Sequence, residues 1–586
     1  MPIDLNDRYA REVDGMLQLF SPYDGGMVDD IRRRNKNEKL RPSGTNLKWR
    51  WDPDGYFWEC PDIPENRELI DTPLYAFEIE GDGPEFDDNI EGKPWLQIDL
   101  GEIAGVNGLK PWDYQYECLQ FLVWRGGRGI LGLDMALGKS VIAALFCHMR
   151  REHQPAIIMC PANLKLQWAE YWKEWVGRPV KILDGQKGYP LEQDISYVVN
   201  WDVLAFTKTE TKYHKKYGVL QPKKVKVVQP NSWFHFIKRA GFKTSIGDEI
   251  QFCNNIESMR GKALKEIAES IPNFIPLSGT PIKTKPSQFW LPLHLVDKDR
   301  FPKLKRFQDK YCNIEANGYG EHEQPGCKDP KALHRAVKNV MIRYRKADVL
   351  KELPGKTRVV VPMEIDQAAW NKEIAIWKEE HKDIDRTKAF ELQNAIKSLM
   401  SSAFAVKKKS VIEWIDNYKE INPGKKLVIF SWHRAVVEYI HECYKKESVM
   451  YYGGMSNKKK QAAFKRFLED PECLFFDANI QSGGTGLDGM QHICDTCCFT
   501  EISRSPMESD QAEDRLLRPG QEHNVGSFFL PAAGTVDMDI MESWDIKREM
   551  VDQIVEGKEV SDDNDLLLNL FNKYAGAPQK PEGGMF

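Results

Sequence analysis

The sequence predicts an α/β fold with two separate blocks of parallel strands under covering helices. Three observations carry that expectation. Short apolar runs alternate with amphipathic helical stretches from about Leu109 to Val296. The alternation gives way to a charged, mostly helical stretch over 298–420 and resumes at Lys425. Strand–helix alternation of this kind lays strands parallel beneath helices, so each block is one sheet.

The elements follow in chain order. Residues 1–108 form an N-terminal region in which Arg32, Arg33, Arg34, Lys36 and Lys39 precede NLKWRWDPDGYFWECPD. There Asp52-Pro53-Asp54-Gly55 is a turn signal between two aromatic-rich strands. From Glu78 to Glu91 there are seven acidic residues and no basic one, which reads as a linker or solvated loop. In the first block RGILGL, AIIMCP, ISYVVN and FIPLS read as buried strands, and VIAALFCHMRRE and LKLQWAEYWKEW as helices. QAAWNKEIAIWKEEHKD is the clearest helix of the middle stretch. KLVIFSW, ECLFFDA and VGSFFLPA supply strands of the second block, and DLLLNLFNKY a short helix in a polar tail after Glu556. The domains expected are thus 1–108, 109–297, 298–424, 425–555 and 556–586.

Composition narrows the class. The chain has 586 residues, room for three or four compact units at roughly 150 residues each. It is 41% apolar and 29% charged with 17 Trp, 20 Tyr and 27 Phe, too aromatic for a disordered chain. No run reaches the ~18 apolar residues of a membrane span, and the first residues lack the pattern of a secretory signal. The twelve cysteines are scattered, which fits a reducing compartment better than a disulfide scaffold. A net charge of -5 leaves nucleic-acid binding open, because only a local groove need be basic.

Four segments carry chemistry. GLDMALGKS (132–140) runs a strand into a tight turn and a helix, so backbone N–H groups around Leu137 and Gly138 can cradle phosphates. Lys139 would reach the β- and γ-phosphates and Ser140 would ligate Mg²⁺, although Leu133 stands where the strict P-loop pattern wants Gly. A glycine-rich turn that merely contains Lys-Ser is the plain alternative. Asp248-Glu249-Ile250-Gln251 follows the weak strand KTSIG. Asp248 could hold the Mg²⁺ hydration shell and Glu249 polarise the attacking water, but acidic pairs are also common on solvated surfaces. LSGTP (277–281) places Ser278 and Thr280 at a strand end, as a phosphate-site bridge or an ordinary polar turn. QAEDRLLRPGQ (511–521) sets Arg515 and Arg518 at helical spacing on one face, suited to a transferring phosphoryl group or to salt bridges within an exposed helix.

Their order is decisive. The chain resembles the Swi/Snf-type ATPases of helicase superfamily two, DNA translocases with two RecA-like lobes. LKPWDYQ is similar to the family's adenine-reading segment, with Gln115 as base contact. GLDMALGKS, CPANLKLQWAEYWKEW, DEIQ, LSGTPI and FSWHR resemble motifs I, Ia, II, III and IV. SGGTGLDGMQ (482–491) and SPMESDQAEDRLLRPGQ resemble motifs V and VI. The first Walker position of the family is often not Gly, which accounts for Leu133. QAEDR with R-x-GQ is most similar to annealing helicases and fork remodellers, which carry a small HARP-type recognition domain ahead of the motor. NLKWRWDPDGYFWECPD has a comparable rhythm of aromatics around a turn. Its plainer reading is a small β-rich domain whose Trp49, Trp51, Phe57 and Trp58 fill its own core.

The resemblance implies two RecA-like lobes with ATP and Mg²⁺ in the cleft, helical protrusions between them and a small N-terminal domain. Gln115, Leu137, Gly138, Lys139, Ser140, Gly486 and Asp488 would bind nucleotide, and Ser140 and Asp248 the metal. Lys139, Asp248, Glu249, Arg515 and Arg518 would carry hydrolysis. Pro161, Asn163, Gln167, Trp168, Ser431, His433, Gly484 and Thr485 would lie along the nucleic acid. DNA, whether duplex, forked or single-stranded, is the expected partner of a monomer in the cytoplasm of a bacterial cell or a phage-infected host. The alternatives are a strand-separating helicase on DNA or RNA, and a non-catalytic binding protein on a degenerate ATPase scaffold. Two residues depart from the family: Gln251 stands where His is usual, and Ala136 where Gly is usual.

Four further features lie outside these motifs. Seven lysines between Lys208 and Lys226 mark an insertion that touches DNA phosphates or a solvated basic loop. Lys407-Lys408-Lys409 reads as an exposed face. Cys494, Cys497 and Cys498 read as buried thiols rather than zinc ligands, and Cys312, His322 and Cys327 are too loosely spaced for a strong zinc site.

Overall fold

The structure, a computed structural model, describes residues 9–13, 16–20, 50–52, 57–61, 78–80, 92–544 and 566–575, apart from 206, 217–218, 257, 280–284, 318–319, 385–388 and 484–486. The chain separates into two compact units. One comprises Met1–Asn89 with Asp299–Asp309, the other Ile90–Lys298 with Lys310–Phe586.

The described part of the first unit is a sheet of β1 (Tyr9–Val13), β2 (Met16–Phe20), β3 (Arg50–Asp52), β4 (Phe57–Pro61) and β5 (Glu78–Glu80), in the order β3-β4-β2-β1-β5. β3 and β4 pair antiparallel with Trp51 opposite Trp58, and so bracket the expected turn. Pro53, Asp54 and Gly55 themselves lie outside the described residues, as do the side-chain surroundings of the four aromatics. β2 turns Leu17 and Leu19 to one buried face, the two-residue period of a half-covered strand. β5 corrects the linker reading at its start. Glu78-Ile79-Glu80 alternates polar and apolar and pairs parallel with β1.

In the second unit the stretch just after Ile90, expected with the N-terminal region, packs on the first lobe. Trp95 and Ile103 join its core, and the Trp95 ring meets Phe121 edge-on at 5.2 Å. The lobe is built on β6 (Ile130–Leu133), β7 (Ala156–Cys160), β8 (Val180–Ile182), β9 (Ser196–Asn200), β12 (Thr244–Asp248), β13 (Asn273–Leu277) and β16 (Met341–Tyr344). Their order is β16-β6-β13-β12-β7-β9-β8, all neighbours parallel. Every residue of β7, β9 and β12 is buried, as strands covered on both faces require. The polarity of β12 is satisfied internally. Thr244 Oγ1 donates to the His153 carbonyl at 2.8 Å and Ser245 Oγ to the Asn273 carbonyl at 3.0 Å.

The basic insertion is not a loop. It forms an antiparallel hairpin of β10 (Thr207–Lys216) and β11 (Val219–Val228), with Lys212 directly opposite Lys223. A second hairpin, β14 (Cys312–Asn317) and β15 (Gly320–Cys327), sets Cys312 opposite Cys327 and His322 opposite Glu315.

The second lobe contains β17 (Lys356–Val360), β18 (Leu427–Ser431), β19 (Ser448–Tyr451), β20 (Phe475–Asn479), β21 (Thr496–Phe499) and β22 (Val525–Phe529). Their order is β17-β22-β21-β18-β20-β19, again all parallel. The stretch read as mostly helical therefore gives a strand to each sheet, β16 and β17. Both are edge strands of four or five residues with charged members, too short and mixed to show a two-residue period.

Beyond β17 that stretch is occupied by helices α1 (Gln367–Glu380) and α2 (Ala389–Ile421). α3 (Leu566–Ala575), in the tail, closes the core beside them. Its Phe571 lies 5.4 Å from Trp377 and its Tyr574 lies 6.2 Å from Trp370, ring to ring. Lys407 also departs from expectation. It is fully buried on α2, with Nζ 2.6 Å from Asp537 Oδ2 and 2.5 Å from the Leu530 carbonyl.

Candidate active site

The phosphate turn leaves the end of β6 and enters the helix Lys139–Met149. Gly138 has φ +70°, and a Cβ there would sit 2.5 Å from Gln115 Nε2, so glycine is needed on both counts. Ala136, the departure from the family's Gly, adopts φ +65°, a strained conformation for a residue with a Cβ. Lys139 is buried and donates to the Leu133 and Asp134 carbonyls at 2.8 and 3.1 Å. Burial lowers its pKa, opposed by the facing carboxylates of Glu249, Asp248 and Asp134. Ser140 follows on the first turn of the same helix. Gln115 braces the turn: Nε2 donates to the Leu137 carbonyl at 3.3 Å, and Oε1 accepts from the Trp112 N–H at 3.0 Å.

Asp248 and Glu249 stand at the end of β12, both buried. Asp248 is held on every side. Oδ2 accepts from Trp168 Nε1 at 2.7 Å, Oδ1 from the Glu249 N–H at 3.0 Å, and the carbonyl from Trp201 Nε1 at 3.0 Å. Burial and the adjacent Glu249 push its pKa up to about 7, which Trp168 and Lys139 oppose. Glu249 has φ +51°, a left-handed backbone that turns its carboxylate out of the strand line. Gln251 Nε2 donates to Glu249 Oε2, and Gln251 Oε1 accepts from Ser278 Oγ at 2.7 Å. Where the family usually has His, this chain thus has an amide that joins the acidic pair to LSGTP. Thr280 lies outside the described residues.

The arginine segment faces this cluster from the second lobe. Arg515 is buried, its pKa lowered by burial and by Arg518, with the Glu249 carboxylate acting against both. Arg518 Nη1 pairs with Asp488 Oδ1 at 2.9 Å. Glu513 and Asp514, at the end of the helix Pro506–Glu513, are themselves bound: Arg358 Nε to Glu513 Oε1 at 2.8 Å, Lys356 Nζ to Glu513 Oε2 at 2.7 Å and Lys346 Nζ to Asp514 Oδ1 at 2.9 Å. The structure therefore brings Gln115, Leu137, Gly138, Lys139, Ser140, Asp248 and Glu249 together on one lobe. It adds Arg515, Arg518 and Asp488 from the other.

The residues expected along nucleic acid divide. Trp168 and Ser431 are buried and committed to protein, Trp168 to Asp248 and Ser431 to Thr500 Oγ1 at 2.7 Å. Both leave the set of surface contacts. The indole of Trp168 is instead bound to the acidic pair at the end of β12, which spacing alone does not reveal. Pro161, Asn163 and Gln167 are half-buried at the start of the helix Lys165–Trp175, where Gln167 Nε2 donates to Tyr171 Oη at 3.0 Å. His433 is half-buried and fixed by Glu501, Nδ1 to Oε1 at 2.6 Å. Gly484, Thr485 and Gly486 lie outside the described residues. Cys497 and Cys498 are buried thiols on β21 and Cys494 is buried beside it. Among the described residues no His, Cys, Asp or Glu side chains gather in threes as a metal cluster, and no helix is long and apolar enough to cross a membrane.

A phosphate turn, an acidic pair and paired arginines on two parallel-sheet lobes invite comparison with known families. The model of the SNF2-related domain matches residues 114–449, more than half of the chain. The chain belongs to the SNF2-related family. It is 25% identical to the SWI/SNF-related matrix-associated actin-dependent regulator of chromatin subfamily A-like protein 1 of Xenopus tropicalis, over 87% of this chain and 51% of that protein. It is 24% identical to the human DNA annealing helicase and endonuclease ZRANB3, over 72% of this chain and 38% of the relative. The chain thus spans about half or less of the length of these two relatives. The Sulfolobus solfataricus SWI2/SNF2 ATPase core in complex with dsDNA aligns at 18% identity and TM-score 0.37, over 78% of this chain and 96% of that one.

Proposed function

We propose that this SNF2-related chain is a DNA-dependent ATPase that couples hydrolysis to movement along duplex or forked DNA, with strand annealing or remodelling as its outcome. The observation that carries the reading is the convergence of Lys139, Asp248, Glu249 and a buried Arg515 on one site.

Mg²⁺ fits the residues present, since a buried carboxylate and a helix-start hydroxyl are hard oxygen donors. Asp248 and Ser140 would hold it, and it would supply charge neutralisation between the phosphates. Lys139 would exchange its two carbonyl partners for β- and γ-phosphate oxygens. Glu249, turned out by its left-handed backbone and aligned by Gln251, would accept the proton of the attacking water. Arg515 and Arg518 would neutralise charge on the transferring group from the second lobe. Gln115 would contact the adenine while bracing the turn.

DNA as the partner is supported by the similarity to the human DNA annealing helicase and endonuclease and by the basic β10–β11 hairpin, suited to phosphates in a salt-dependent, sequence-independent way. The test is steady-state ATP hydrolysis without nucleic acid and with single-stranded, duplex and forked DNA and RNA, with Lys139→Ala as control. Stimulation by duplex or forked DNA, lost in the variant, supports the reading. Stimulation by single strands or RNA alone supports a strand-separating helicase. Turnover equal to the variant's on every ligand refutes catalysis.

A further inference from the structure

The described chain passes from the first sheet to the second between β16 and β17, and in that passage Lys346 touches both halves of the active site. Its backbone N–H donates to Asp134 Oδ2 at 3.0 Å, within the phosphate turn. Its side chain reaches the arginine segment, with Nζ 2.9 Å from Asp514 Oδ1 and 3.0 Å from the Leu517 carbonyl. Asp514 directly precedes Arg515, and Leu517 directly precedes Arg518.

The Asp134 end is anchored. Asp134 Oδ1 pairs with Arg343 Nη2 at 2.7 Å, and the Asp134 N–H donates to the Tyr344 carbonyl at 3.1 Å. Arg343 Nη1 donates in turn to the Gly132 carbonyl at 2.7 Å, at the base of the turn. The other end is equally enclosed. Lys346 is 8% exposed, so its ammonium depends on protein acceptors rather than water. Lys356, 4.0 Å from Asp514, is occupied with Glu513 at 2.7 Å, and the Arg515 guanidinium lies in the field of the same Asp514 carboxylate.

We propose that Lys346 is a positioning residue for hydrolysis: it ties the placement of Arg515 and Arg518 to the phosphate turn through the Asp134–Lys346–Asp514 bridge. The proposal rests on the ATPase reading. One residue binds the turn through its main chain and the arginine segment through its side chain. A displacement of the turn is therefore carried to the arginines without passing through either sheet. Charge at Lys346 matters to the second contact only, so neutralising the side chain cuts the bridge while the anchor at Asp134 remains.

The experiment compares the full-length wild type with Lys346→Met, Lys346→Arg and Asp514→Asn. It measures kcat and KM for ATP with and without duplex DNA, and thermal stability. Lys346→Met is expected to lower DNA-stimulated kcat about tenfold, with KM for ATP within about twofold, as befits a contact that matters in the transition state. Lys346→Arg, which keeps a charge for both acceptors, restores most of kcat. Asp514→Asn, which weakens the same contact from the other side, reproduces the kcat loss even if Lys346→Met folds poorly. Wild-type turnover with kcat unchanged in Lys346→Met and Asp514→Asn overturns the proposal and leaves the ATPase reading standing. So does a kcat loss in proportion to lost folded protein that Lys346→Arg fails to restore. A wild type without turnover on any nucleic acid overturns both.

Discussion

The indole N–H of Trp168 donates to Asp248 Oδ2 at 2.7 Å and both residues are buried, so a side chain from the segment after β7 fixes the carboxylate at the end of β12. A hydrogen bond to a charged group contributes roughly 1.5–3 kcal/mol, and here it favours the ionised form of Asp248 against burial. Trp168→Phe keeps most of the buried ring and removes only the donor. The expected result is a fall in kcat of about tenfold or more with circular dichroism unchanged, and a higher Mg²⁺ concentration for half-maximal rate. Unaltered kcat at every Mg²⁺ concentration would show the bond to be incidental.

Gln251 links Glu249 to Ser278, and so joins the carboxylate proposed to activate water to the strand end that faces the phosphate turn. Gln251→Ala breaks that chain without touching Asp248. Basal hydrolysis should fall modestly, by about threefold, and the ratio of DNA-stimulated to basal turnover by more, as for a group acting on another's alignment. Equal losses in both regimes would mean that Gln251 aligns Glu249 but takes no part in coupling to DNA.

The strands of both lobes were legible because their residues are buried on both faces, leaving runs such as AIIMC and LVIFS with no polar member until the site is reached. The candidate site residues were legible through the order of their segments, which resembles that of a known family. What stayed hidden depends on tertiary partners. β12 looks weak until Thr244 and Ser245 find carbonyls, and β16 and β17 are strands only because a sheet edge lies beside them. Trp168 reads as a surface contact until Asp248 is seen against its indole. Lys346 carries no motif at all, and its meaning lies in what its two ends touch.

Lys407 is the clearest such case. It is fully buried with Asp537, whose Oδ2 also accepts the Ala532 N–H at 3.0 Å, and so pins the long helix α2 to the chain beyond β22. Lys407→Met leaves a buried carboxylate without its cation, a change that costs about 3–5 kcal/mol. Chemical denaturation should show that loss, and the double variant Lys407→Met/Asp537→Asn should recover a large part of it. A single variant within ~0.5 kcal/mol of wild type would place the pair among the near-neutral ones.

Asp477 on β20 gives stability a pH dependence of defined sign. Burial raises its pKa to about 8, with the His441 imidazole 4.0 Å away and the thiols of Cys443, Cys473 and Cys498 around it. Burial lowers the pKa of the neighbouring His441 as well. The folded chain therefore keeps a proton on Asp477 that the unfolded chain releases above the ordinary aspartate pKa. Between that value and about 8 the native state binds more protons, so this residue's contribution to stability declines as pH rises and levels off above 8. The slope is at most ~1.4 kcal/mol per pH unit. Asp477→Asn mimics the protonated acid at every pH. It should be close to wild type in stability at pH 5 and more stable than wild type at pH 8, as read from denaturant midpoints at the two pH values. Parallel declines in both chains would assign the pH dependence to other groups.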